Sequence, residues 1–148
     1  MATYTTIADL EKRLDSSVLA GLADDVNTPP NLADAGTQAV LEKAIADGAN
    51  LIDSYLLGRV DLANPLVGAA LERINATLAL YFLYQRRYVD DSLNPLAAAK
   101  EAILAHLAAV LAGTAKIADG ADGSPELVVF STTEDAERTL DATKLRRF

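Results

Sequence analysis

The chain has 148 residues, enough for one domain with its own core. Hydrophobic residues make up 51%, which excludes a disordered tail; the absence of cysteine excludes a disulfide framework and thiolate metal sites and fits a reducing cytosol. Thirteen basic residues against 21 acidic ones leave a charge of −8, which excludes a phosphate-gripping coat of clustered Lys and Arg but still allows the chain to stand next to DNA.

The start, MATYTTIADLEKR, has no basic region followed by an apolar run, so it does not read as a signal peptide. Thr6 with Asp9 offers a capping box for a short helix over residues 6–14, with Ile7, Leu10 and Leu14 on one face. Ser16 or Ser17 then caps one or two further turns carrying Val18, Leu19 and Leu22. Residues 24–36, DDVNTPPNLADAG, read as a loop, because Pro, Asn, Asp and Gly favour turns. A calcium loop would start at Asp25 and Asn27, but Pro29 falls on the third ligand position and no Gly follows, so ion binding is not expected.

Residues 37–59 read as a long amphipathic helix. Leu41, Ile45, Gly48, Ile52 and Tyr55 recur at steps of four and three and share one face, widened by Val40, Ala44 and Leu51. Glu42, Lys43, Asp47, Asn50, Asp53 and Ser54 form the wet side. Thr37 is the expected N-cap and Gly58 the expected stop. After a connector at 60–64, Pro65 opens a third long helix. Leu66, Val67, Ala70, Leu71, Ile74, Leu78, Tyr81 and Phe82 make its broad face, which should pack on the Leu41–Tyr55 stripe with Gly48 allowing close approach.

Beyond Ala76 this helix is apolar all round, with Leu80, Leu83 and Tyr84 on the other side. Such a helix is either central or shared with a partner, and we read part of its cover as a subunit interface. The apolar run over 76–84 is nine residues long, short of the roughly 20 that cross a bilayer, so no membrane is expected. Arg86 and Arg87 suit the negative end of the helix dipole. Asn94 and Pro95 start a fourth helix through about Ala112, with Ile103, Leu107, Val110 and Leu111 as its stripe, many small alanines and Gly113 as its end.

From Gly113 the composition shifts to a turn-rich loop, ADGADGSP. ELVVF over 126–130 reads as a short strand, followed by a capped polar helix and the basic-aromatic end KLRRF. One strand cannot form a sheet alone, so residues 113–148 read as an arm that pairs with a neighbour. The expected fold is all-α: a four-helix bundle-like core over 1–112 and an extended C-terminal arm over 113–148 containing the short strand.

Catalytic chemistry is hard to assemble. His106 is the only histidine and reads as a partly exposed helix side chain among alanines. No serine stands in a G-x-S-x-G elbow, and GADG at 120–123 is followed by Ser and Pro and not by a Lys-bearing helix. Asp24–Asp25 and Asp90–Asp91 read as solvated pairs. No catalytic residue, metal or cofactor is expected.

The order YTTIADL, AIADGANLIDSYLLGR, a Pro-started helix ending in ALYFLYQRR, and a last helix into LAG resembles the small neck proteins of Mu-like phages and prophages. The hallmark is carried here by Ala44, Ile45, Ile52, Asp53, Tyr55, Leu56 and Arg59, and the resemblance covers about residues 4–112, with a looser echo in the tail. It departs at DDVNTPPN, where relatives carry an Asp/Gly-rich stretch, and at Val60, where they carry an aromatic.

What the resemblance implies is a head–tail connector, or adaptor, in the neck of the virion, made in the bacterial host cytoplasm. Such proteins form rings of about twelve copies beneath the portal. The implied partners are copies of itself, the portal protein and a tail-side neck or stopper protein. DNA passes through without sequence-specific binding, and an acidic lumen would not hold it. Contact with other subunits or the portal is expected from Leu80, Leu83 and Tyr84, from Leu127, Val128, Val129 and Phe130, and from Leu145, Arg146, Arg147 and Phe148. Ile52, Asp53, Tyr55 and Arg59 form the structural motif, with Asp53 and Arg59 fixing the helix end and connector. The other reading is a small acidic helical phage-encoded binding or regulatory module.

Overall fold

Thr6 and Asp9 close the capping box that their spacing predicts: Asp9 N–H donates to Thr6 Oγ1, and Thr6 N–H to the Asp9 carboxylate. They start α1 (Ile7–Glu11) in a computed structural model that describes residues 4–56, 60, 64–88 and 90–118. The helices that follow are α2 (Ser16–Ala23), α3 (Ala35–Leu56), α4 (Pro65–Arg87) and α5 (Ala97–Leu111), with a 3-10 turn at Asp91–Leu93 before α5. All regular structure among the described residues is helical, so the chain is all-α there. The strand expected at 126–130 lies outside the described residues.

Two caps differ from expectation, for one reason. Asp15, not Ser16 or Ser17, caps α2 by accepting from Ser17 N–H. Asp34, not Thr37, caps α3 by accepting from the Gly36 and Thr37 amides. In each case a carboxylate just upstream adds its charge to the positive helix end, which a hydroxyl cannot do. Thr37 is instead buried inside the first turn. At α4 the start signals hold, with Asn64 as cap and Pro65 in the first turn, whereas α5 begins at Ala97 after a turn through Asn94 and Pro95, with no side-chain cap. Gly113 follows α5 with φ 78, the left-handed turn that a side chain resists.

The antiparallel pair α3 and α4 forms the centre. At one end Leu41, Ala44 and Ile45 meet Ala76, Ala79, Leu80 and Leu83, covered by Leu10 of α1 and by Leu19, Leu22 and Ala23 of α2. At the other, Ile52 and Leu56 meet Val67, Leu71, Ile74 and Leu78, covered by Leu107 and Val110 of α5. Ile117 also packs into this second cluster. The expected arm boundary at 113 therefore moves: the chain turns back at Gly113 and 114–118 belong to the body, because Ile117 finds an apolar seat. α4 is long and apolar enough to cross a membrane, yet 61% of that stretch is buried against its own protomer.

Candidate interaction surfaces

Leu80 and Leu83 were expected at an interface, and the structure corrects this. Leu83 is fully buried and Leu80 nearly so, because α1 and α2 fold over the far side of α4. Tyr84 is half-buried at the edge of the same cluster and stacks on Tyr88 at a centroid distance of 6.2 Å. The surplus apolar character of α4 thus serves the protomer core, with Tyr84, Tyr88 and Phe82 keeping part of their surface open.

Three of the motif residues, Ile52, Asp53 and Tyr55, lie among the described residues. Ile52 is fully buried. Tyr55 packs against the second cluster. Asp53 takes a short hydrogen bond from the Tyr4 hydroxyl, tying the chain start to α3. Burial, then the Asp53 hydrogen bond and charge, push the Tyr4 phenol up to about 12. Sequence reasoning gave Asp53 a role in fixing its own helix end; its partner is 49 positions away. Arg59, and the candidate residues Leu127, Val128, Val129, Phe130, Leu145, Arg146, Arg147 and Phe148, lie outside the described residues.

Arg86 and Arg87 reach beyond the end of their own helix. Arg86 Nη1 donates to the carbonyls of Leu22 at 3.2 Å and Ala23 at 3.4 Å. Arg87 donates to Leu22 through Nε at 3.2 Å and to Asp24 through Nη2 at 2.7 Å. Both also pair with Asp25. The last carbonyls of α2 have no helical donor, so these guanidinium groups cap a second helix. The Asp24 carboxylate is occupied as well, accepting from the amides of Val26, Asn27 and Asn31 and from the Asn27 side chain. These hydrogen bonds hold its pKa well below the carboxylate range. Asp24 was expected to be solvated; the 24–34 loop is wound around it instead.

His106, expected to be partly exposed, is buried, and its Nε2 has no hydrogen-bond partner among the described residues. Burial lowers its pKa from the ordinary 6.5. A lowered histidine adds nothing to pH dependence above 6.5. Below it the unfolded chain takes up a proton that the folded chain resists, so stability falls. The denaturation midpoint should therefore drop between pH 7.5 and 5.5, and His106→Gln should remove that part of the drop. These conditions lie above the range where the lowered Asp24 and Asp9 titrate.

Among the described residues, two surfaces bear on assembly. A groove of about 390 Å³ runs between α3 and α4 over Val40, Ala44 and Phe82, edged by Lys43, Asp47, Gln85 and Arg86. The outer face of α5 is the second. Leu107 and Val110 face inward, while Ala98, Ala102, Ala105 and Ala108 stay exposed along one side. Leu93 before the helix and Leu111 at its end are 65% and 40% exposed. Of the two charged residues of α5, Lys100 lies over the Tyr81 ring at 5.1 Å and pairs with the exposed Glu101 at 3.3 Å. Among the described residues α5 packs against α3 and α4 through its inward side. No group of three or more His, Asp or Glu side chains converges among the described residues.

No curated protein matches the chain. A family model, Bacteriophage Mu, Gp36, matches residues 4–142, which includes the described helices and most of the tail. The all-helical body and a match over nearly its whole length lead to one assignment: the chain belongs to the bacteriophage Mu Gp36 family.

Proposed function

We propose that the protein is a structural, non-enzymatic component of the phage particle, a head–tail connector whose copies form a ring in the neck between portal and tail. The observation that carries the reading is the open face of α5: exposed alanines along one side, Glu101 as its exposed acid, and an exposed leucine at each end. On a protein of charge −8, a face whose one exposed acid is paired with Lys100 is a place where copies can meet with little like-charge repulsion. Family membership supports a phage role, and the acidic balance suits a channel that does not hold DNA. In this reading the bundle-like body forms the ring wall, and residues 119–148 carry the contacts to the portal or the next subunit.

The test is direct. Purified particles should contain the protein at a fixed stoichiometry, with a ring density in the neck by negative stain. A protein found free in infected cells and missing from particles would favour the regulatory alternative. Ala102→Glu with Ala105→Glu should fold normally, since exposed substitutions change stability by about 0.5 kcal/mol or less each. The same double variant should lose assembly, measured by light scattering or particle yield.

A further inference from the structure

Asn75 is the most unusual side chain in the core. It is fully buried between α3 and α4, and neither its Oδ1 nor its Nδ2 finds a hydrogen-bond partner among the described residues. A buried unpaired amide opposes folding. Its position explains how it is tolerated. A Cβ added at Gly48 would lie 2.4 Å from Asn75 Oδ1 and 3.3 Å from Leu78 Cβ, so the amide fills the space that Gly48 leaves empty. Its oxygen faces the Gly48 Cα, a position for a weak Cα–H···O contact.

The apolar residues around this pair repeat too regularly to define one alignment. Leu41, Ile45 and Ile52 on α3, and Leu71, Ile74 and Leu78 on α4, all recur at steps of three, four or seven. Aliphatic ridges of that spacing also interdigitate after a slip of one turn, about 5.4 Å. A slip brings Asn75 over the turn of Ala44 and Ile45 or over that of Ile52, where side chains occupy the space that is empty at Gly48. We infer that Asn75 and Gly48 form the register lock of the α3–α4 pair, a juxtaposition that lowers protomer stability while excluding slipped alignments. This is the logic by which a buried polar residue fixes register in coiled coils. The inference does not depend on the connector reading.

The test is a double-variant cycle with a register readout. Asn75→Ala should hold or raise Tm, yet give a second set of backbone amide resonances for α3 and α4. Gly48→Ala should lower Tm sharply, and the same substitution in the Asn75→Ala background should lower it far less, because the oxygen it meets is gone. A single native set of resonances in Asn75→Ala overturns the inference. So does a Gly48→Ala loss of equal size in both backgrounds. If Gly48→Ala alone does not fold, the resonances of Asn75→Ala still decide.

Discussion

Leu83→Ala should lower the unfolding free energy of the isolated protein by about 2–5 kcal/mol, the range for emptying a fully enclosed leucine site. Leu83 has no exposed surface and sits among Leu10, Leu19, Leu41 and Leu80, so three helices besides its own would border the cavity. Denaturant unfolding at a protein concentration low enough to exclude oligomers measures the loss. The result separates two readings of α4. An interface leucine would leave the isolated chain unchanged and weaken assembly alone; a core leucine does the reverse. Tyr84→Ala, at the rim of the same cluster, should lose less.

Replacing Arg86 and Arg87 together with Ala should cost about 2–3 kcal/mol. Hydrogen bonds from charged donors contribute roughly 1.5–3 kcal/mol each when sheltered, discounted here because both side chains are part-exposed. The loss should show as early melting of α2 and the 24–34 loop, followed by amide exchange. Asp25→Ala removes the ion pairs but keeps the carbonyl bonds, and should cost less than about 1 kcal/mol, falling with added salt. A double Lys variant should recover little, since an ammonium lacks the planar fork that reaches two carbonyls at once. Equal losses for Asp25→Ala and the arginine pair would show that the charges, not the caps, hold α2.

The helices were legible because period and caps are local. The steps from Leu41 to Ile52, the Thr6–Asp9 box and Pro65 each act within a turn or two, and each emerges as read. What was not legible depends on distant chain. Leu80 and Leu83 looked surplus because nothing in their own helix shows that α1 and α2 return to cover them. The arginines looked like dipole partners of α4 because their acceptors lie 63 to 65 positions earlier. His106 looked exposed because alanine neighbours are silent about which side is covered. A signal for Asp24 was present: an Asp followed by Asn27 and Asn31 in a proline-bearing loop is a pattern of side-chain-to-backbone turns.

The bridge from α4 to α2 also bears on how the molecule comes apart. Without it, α1 and α2 would be held to the central pair by the packing of Leu10, Leu19, Leu22 and Ala23 and by the Tyr4–Asp53 bond, with no polar tie at the end of α2. Arg86 and Arg87 join the end of α2 to the last turn of α4, so it cannot lift without giving up those guanidinium bonds. Opening of the N-terminus and fraying at the far end of α4 thereby become one cooperative event. The two segments, some sixty residues apart in sequence, should share a single opening free energy in native-state hydrogen exchange.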